Sequence, residues 1–332
     1  MVCRAFHKIL TLWILVNLWI GVAFATPYTF IDKRGKRIVI NVPVKRAVIV
    51  ISYELIPALN LWDQVAGVST WAEEHCDIYK AFISLNPKLK KPTVGVGTNL
   101  NIEAIIKLKP DLIITWTYAP QVIKYLESKG LKVFAIYPDS LKEFYQVLKI
   151  HGKLFGKEKR VEEVIKEMDK IFNLIKKRVA KIPPEKRKKV IYLLGKPTTV
   201  SAGIGITDEI INFIGGINPA GFIKQRYADV SIERILLWNP DVIFIWGYAG
   251  YTPEWILNNS QWEHIKAVKN KQVYKLPHWS TWSPRVALVA LYMAMKIYPE
   301  YFKDINFEKI ADNFYRKVFG ISYKQVKPYE EP

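Results

Sequence analysis

The densest run of metal-seeking side chains in this sequence is Glu73-Glu74-His75-Cys76-Asp77. Thiolate and imidazole together suit a soft metal. Adjacent residues do not share a helix face, however, and no second cluster stands ready to complete a coordination shell, so the run weighs against a metal site. Hydrolytic chemistry has no better footing. There is no G-x-S-x-G elbow, and no carboxylate pair has a spacing that suggests hydrolysis. Gly95-x-Gly97 and Gly203-x-Gly205 lack the third glycine of a dinucleotide loop and read as turns. What recurs instead is aromatic: Tyr53, then Trp71, then Trp116 and Tyr118, then Trp246, Tyr248 and Tyr251, then His278, Trp279 and Trp282. Each group follows a predicted strand. Aromatic rings give large, rigid contact area at low entropic cost, and a cleft lined by them suits a flat or bulky ligand. Any one of these rings could fill a core corner beside its own sheet. Their recurrence at strand ends marks the set as candidate binding residues, whereas Trp238 and Trp262 read as core.

The elements that must position these rings announce themselves through a repeat. Ile102-Glu103-Ala104-Ile105-Ile106-Lys107-Leu108-Lys109-Pro110-Asp111-Leu112-Ile113-Ile114-Thr115-Trp116 aligns without gaps on Ile232-Glu233-Arg234-Ile235-Leu236-Leu237-Trp238-Asn239-Pro240-Asp241-Val242-Ile243-Phe244-Ile245-Trp246. Ile, Glu, Ile, Pro, Asp, Ile and Trp coincide. Each copy reads as a short helix, a Pro-Asp turn and a buried strand ending in Trp. One repeat separated by this much chain implies two lobes of the same architecture, and two lobes make a cleft. Glu103 and Glu233 fall in the first turn of their helices, where the helix dipole favours a carboxylate. Being matched and predicted exposed, they are also candidate docking points for a partner that touches both lobes.

Around the first copy, a hairpin at 28–42, strands at 47–51, 65–68 and 132–136 and helices at 54–61 and 118–129 alternate, with an irregular or weakly helical stretch at 73–98. This is α/β with a mainly parallel sheet. Residues 157–181 differ: Val161, Val164, Ile165, Met168, Ile171, Phe172, Ile175 and Val179 step by three and four along one face of a long helix, stopped by Pro183-Pro184. It reads as a strut between lobes. The second lobe carries strands at 190–194 and 272–276 and helices at 208–214, 284–297 and 307–319. The expected organisation is a leader at 1–25, an N-terminal Rossmann-like lobe at 26–156, a linking helix at 157–182 and a C-terminal Rossmann-like lobe at 183–332, with the ligand between the lobes beyond the carboxyl ends of the strands.

The bulk numbers agree. A chain of 332 residues, half of them hydrophobic, can build two ordinary cores. Arg4 and Lys8 precede a short apolar run, and Ala23-Phe24-Ala25 ends it before Thr26-Pro27, the pattern of a cleaved secretory leader. Cys3 lies ahead of that run, so it is not a lipid-bearing cysteine, and Cys76 is left without an intramolecular partner. The formal charge is +19, mostly Lys on helices. Export, the lack of an arginine-rich arm and the lack of Cys/His finger spacing argue against a nucleic-acid partner.

With these residues in view, the chain resembles the substrate-binding proteins of ABC importers for iron complexes and cobalamin, across nearly all of it after the leader. The resemblance is carried by Asn101-Ile102-Glu103 with Lys109-Pro110-Asp111, Val230-Ser231-Ile232-Glu233 with Asn239-Pro240-Asp241, Ala267-Val268-Lys269-Asn270 and Ser283-Pro284-Arg285. The C-terminal part from Tyr298-Pro299-Glu300 through Phe314-Tyr315 is similar to the iron-complex branch. The resemblance implies an exported, monomeric receptor with no enzymatic activity and no cofactor, periplasmic or at the cell surface. It implies capture of an iron(III) complex of the siderophore type, then docking on permease arginines through Glu103 and Glu233. Together with the aromatic strand ends, the candidate ligand-binding set is Tyr53, Trp71, Trp116, Tyr118, Trp246, Tyr248, Trp279, Trp282 and Arg285, with Trp71 and Trp116 matching ligand-facing aromatics of cobalamin-binding members and the stretch before Ser283 matching a ligand-contacting loop. The same fold could instead carry cobalamin, haem, a nickel chelate or an oxyanion such as molybdate, the aromatic excess counting against the last. An exported α/β enzyme is the reading from another class. The loops at 198–207 and 247–255 match no ligand class, and Arg226 and Arg285 are the C-terminal-lobe arginines placed to meet an anionic chelate.

Overall fold

β-Branched and aliphatic runs buried on both faces build the two sheets, as parallel strands require. The computed structural model describes residues 26–330, so the leader expected at 1–25 lies outside the described residues. The hairpin is β1 (Thr26–Ile31) against β2 (Arg37–Val42), turned at Gly35, whose φ of 77° suits a residue without a Cβ. The N-terminal sheet contains β3 (Ala47–Ile49), β4 (Val65–Val68), β7 (Leu112–Trp116) and β8 (Val133–Ile136). They are all parallel, in the order β4-β3-β7-β8. A short ribbon, β5 (Gly95–Val96) and β6 (Asn99–Leu100), precedes β7. The C-terminal sheet contains β9 (Val190–Leu193), β10 (Thr199–Ser201), β11 (Tyr227–Asp229), β12 (Val242–Ile245) and β13 (Val273–Lys275). Its order is β11-β10-β9-β12-β13, with β9, β12 and β13 parallel and β10 and β11 antiparallel at one edge.

The repeat is structural. β7 lies beside β3, the first strand of its sheet, and β12 lies beside β9. The shared Pro-Asp has a physical use in both copies. Asp111 accepts hydrogen bonds from the backbone N–H of Lys45 and Arg46, each at 2.9 Å, just ahead of β3. Asp241 accepts from Lys189 N–H at 2.8 Å, just ahead of β9. Each aspartate thus pins its own strand to the neighbour that it pairs with.

The long helix spans Glu158–Val179, a length of about 33 Å at 1.5 Å per residue. It buries Val161, Val164, Met168, Ile171, Phe172 and Ile175 against helices Leu141–Phe155, Val286–Ile297 and Phe307–Val318. One core runs along this helix and under one face of both sheets. The other face of each sheet has a core of its own, around Val48, Ile113 and Val133 in one lobe and Ile191, Ile243 and Ile245 in the other.

Several elements differ from the sequence reading. The stretch at 73–98 holds two ordered helices. In Thr70–His75 the Ser69 hydroxyl accepts from Trp71 N–H, and in Asp77–Leu85 the Cys76 sulfur accepts from Tyr79 N–H at the first turn. Helix Leu141–Phe155 was not anticipated; Ser140 caps it, and Gly156 ends it at a φ of 65°. The helix at 54–61 contracts to Leu55–Ala58. The loop beginning at 198 contains β10 and the start of helix Ile206–Phe213.

Candidate functional site

The carboxyl ends of the two sheets face each other, and two groups of rings bridge the gap. In the first, helix Thr70–His75 follows β4 and carries Trp71 and His75, whose rings lie 4.2 Å apart. Tyr248, just past β12, meets them from the other lobe, 5.6 Å from Trp71 and 6.4 Å from His75. Trp246 lies 5.2 Å from Tyr248, and His278 stacks on Tyr248 at 4.2 Å. Gly247 lets this loop pass close to the one at Pro277, because a Cβ there would stand 2.4 Å from the Pro277 carbonyl oxygen.

The second group is richer in hydrogen bonds. Trp116 ends β7 and meets Tyr118 edge-on at 5.7 Å. The Tyr118 hydroxyl pairs with that of Tyr137 at 3.1 Å, and Tyr137 pairs across the lobes with Tyr227 at 3.0 Å. Trp282 meets the Tyr137 ring at 4.5 Å. Arg226 lies over the same ring at 4.1 Å and grips Asp139 with two bonds of 2.6 and 2.8 Å. Lys33 also reaches Asp139, at 3.0 Å. Burial pushes the Asp139 carboxyl up, but Arg226 and Lys33 outweigh it and hold it below the usual range. Burial, then the hydroxyls of Tyr118 and Tyr227, push the Tyr137 phenol far up. Burial does the same to Tyr248. These phenols keep their protons at physiological pH and act as hydrogen-bonding groups within the cluster.

Trp71, Trp116, Tyr118, Trp246, Tyr248 and Trp282 all lie in these two groups, five of them half-buried and Tyr118 exposed. Three other expected ligand-binding residues lie elsewhere. Arg285 is fully buried beneath the cleft. It donates to Glu54 at 2.7 and 2.8 Å, to Asp77 at 2.6 Å and to the Tyr315 hydroxyl at 3.1 Å. Its charge is spent on these partners, which corrects its assignment to an anionic ligand. Trp279 is buried against Phe307 and donates its Nε1–H to Glu330 at 2.9 Å. Tyr53 is buried too, and burial raises its phenol well above the ordinary value. Cys76 and Asp77 turn away from His75, Cys76 to cap a helix and Asp77 to meet Arg285.

Tyr137, Tyr227 and Ser201 escaped the sequence reading. Tyr137 directly follows β8 and obeys the same strand-end rule as the others. Tyr227 and Ser201 face each other in the β10–β11 register, an antiparallel pairing with no local signature. Glu103 and Glu233 are exposed on the first turns of helices Ile102–Lys107 and Ile232–Trp238, capped by Asn101 and Ser231. A hydrogen bond with Ser231 lowers the Glu233 carboxyl.

Comparison with known proteins fits this geometry. The family described as "Periplasmic binding protein" matches residues 51–278, and the chain belongs to it. It is similar to the molybdate-binding protein MolA of Haemophilus influenzae, 27% identical over 328 residues, covering 88% of this chain and 91% of the relative. It is similar to the Fe(3+)-citrate-binding protein YfmC of Bacillus subtilis, 26% identical over 264 residues, covering 76% of this chain and 78% of the relative. Among solved structures, the nickel–histidine complex of Helicobacter pylori CeuE superposes with a TM-score of 0.81 at 29% identity, covering 92% of this chain and all of that one. The class is thus an extracytoplasmic binding protein with two α/β lobes. Within it, this chain is the solute-binding component of an ABC importer, not an enzyme. Among the described residues no helix is long and apolar enough to cross a membrane.

Proposed function

We propose that this chain captures a metal chelate of the iron(III)-complex kind between its lobes and delivers it to the permease through Glu103 and Glu233. The observation that carries the reading is the meeting of rings from both lobes at one edge of the cleft, Trp71 and His75 from one and Tyr248 from the other. Flat, weakly solvated faces of this kind hold a chelate by contact area. The nickel–histidine complex of the Helicobacter relative and the iron–citrate cargo of the Bacillus relative support the same class. The matched, exposed positions of Glu103 and Glu233 on the two copies of the repeat support docking on a partner that spans both lobes.

A second reading, a small oxyanion, draws support from hydrogen-bonding capacity. Neutral phenols cluster in the cleft, and the Trp116 Nε1–H is buried without an acceptor among the described residues. The molybdate-binding relative points the same way.

Titration of the purified protein with ferric siderophores, ferric citrate, haem, cobalamin, nickel–histidine and molybdate, followed by tryptophan fluorescence, tests both. Saturable quenching by a ferric or nickel chelate upholds the chelate reading. A response to molybdate alone replaces it with the oxyanion reading, and silence toward all six overturns both.

A further inference from the structure

A small cavity between the lobes is lined by Tyr137, Ser201, Thr207, Arg226, Tyr227 and Thr281, together with Gly205 and Ile206. Helix Ile206–Phe213 starts on its wall. The N-cap of that helix is Gly205, which has no side chain to cap it, and no acceptor meets the backbone N–H of Ile206 or Thr207 among the described residues. An uncapped helix N-terminus offers free backbone donors, while its partial positive charge is already answered here by Asp208 and Glu209 in the first turn. A second, independent feature lies on the same wall. Ser201 is 2% exposed, at the end of β10 on the cavity wall, and its hydroxyl has no protein partner among the described residues. A hydroxyl on a cavity wall with no protein partner is free to bond an oxygen of a ligand. Arg226 adds a third donor: Asp139 takes its Nε and Nη2, leaving Nη1 unengaged.

We infer that this wall is an acceptor site for one anionic oxygen group of the cargo, a carboxylate or an inorganic oxyanion. The inference rests on the cleft being the cargo site, and it names the chemistry that the cargo presents to the C-terminal lobe. The ring cluster at Trp71 and Tyr248 holds the cargo's flat body, and the Ser201 wall holds its charged edge. The charged side chains that line the cavity are Asp139 and Arg226, and they pair with each other. Recognition therefore comes from oriented neutral donors rather than net charge. It favours a compact anion with one or two oxygens to share. Gly203 keeps the wall in place, since a Cβ there would stand 2.0 Å from the Gly221 carbonyl oxygen.

The sources of such an oxygen group are separated by titrating four probes calorimetrically: sodium molybdate, free citrate, ferric citrate and nickel–histidine. Binding of molybdate alone identifies a free oxyanion; binding of the chelates without molybdate identifies a carboxylate held on a metal complex. For whichever probe binds, Ser201→Ala weakens it about tenfold, the worth of one hydrogen bond to a charged group. Ser201→Asp abolishes binding yet keeps the melting temperature, because a carboxylate beside an uncapped helix N-terminus is itself favourable. If both variants bind as tightly as wild type, the acceptor site falls and the cargo reading stands. If both lose melting temperature and keep affinity, Ser201 is only structural and the site again falls. If wild type binds none of the four probes, the acceptor site falls, while the cargo reading still stands or falls with the six-ligand titration.

Discussion

Replacing Arg285 by methionine removes the one cation from a fully buried cluster and leaves the space filled. In the native protein its guanidinium joins two carboxylates of the N-terminal lobe to the C-terminal lobe, with Glu54 at 2.7 and 2.8 Å and Asp77 at 2.6 Å, all but fully inaccessible to water. A buried pair is worth little against an apolar replacement, but breaking it from one side strands a charge, which costs about 3–5 kcal/mol. Two carboxylates are stranded here, so the upper half of that range is expected, a fall in melting temperature of about 10 °C. Because the cluster spans the lobes, unfolding also loses cooperativity and shows two transitions in urea. Burial already raises the Asp77 carboxyl in the native state, against the opposing pull of Arg285. A carboxyl raised on folding binds its proton more readily when folded, so its penalty grows as pH rises through the folded value and is relieved in acid. Without Arg285 that penalty is larger, and the deficit of the variant shrinks as pH falls. Adding Glu54→Met and Asp77→Leu to Arg285→Met recovers most of the loss. Urea unfolding by circular dichroism and fluorescence reads all of this. A deficit below about 1 kcal/mol at neutral pH, or no recovery in the triple variant, would refute a stranded-charge origin.

Trp71→Ala and Tyr248→Ala each weaken cargo binding by about 1–3 kcal/mol with little change in melting temperature; a large drop in stability with affinity spared would make them core residues instead. Glu103→Arg with Glu233→Arg abolishes uptake in cells while the purified protein binds cargo normally, and weakened binding would remove their docking role. His151 is buried, and burial lowers its imidazole to about 4. The unfolded chain accepts a proton near pH 6.5 that the folded one refuses, so stability is lost as pH falls from there toward 4, and His151→Leu flattens this part of the acid-unfolding curve. Gly247→Ala drives a methyl into the Pro277 carbonyl and reduces cargo affinity, read by the same titrations, by displacing Trp246 and Tyr248.

The sequence pattern was most readable where one element carries its own period. Helix Glu158–Val179 is legible because its buried residues fall at three- and four-residue steps. β7 and β12 are legible because the repeat states each of them twice, with the pinning aspartate ahead of each. Depth was not legible. Ser283-Pro284-Arg285 reads locally as a loop opening a helix. The carboxylates that bury Arg285 lie 208 and 231 positions earlier, and nothing near any of the three residues announces the others. The same long-range dependence hid the Ser201 wall, which exists only once β10 pairs with β11. The aromatic strand ends led to rings that meet between the lobes, but the rule does not separate a ring facing the other lobe, such as Tyr248, from one turned into the core, such as Trp279.

The last described residues return to the first lobe. Helix Tyr323–Val326 and the turn Lys327–Tyr329 pack on helix Asp77–Leu85, and Glu330 accepts bonds from Trp279 and Tyr323. The first lobe is therefore sealed by residues 285 to 330, far from it in sequence. Until these pack, Glu54 and Asp77 lack their counter-ion, and the faces of helix Asp77–Leu85 lack their cover. Closing so long a loop is slow, so this seam forms late in folding.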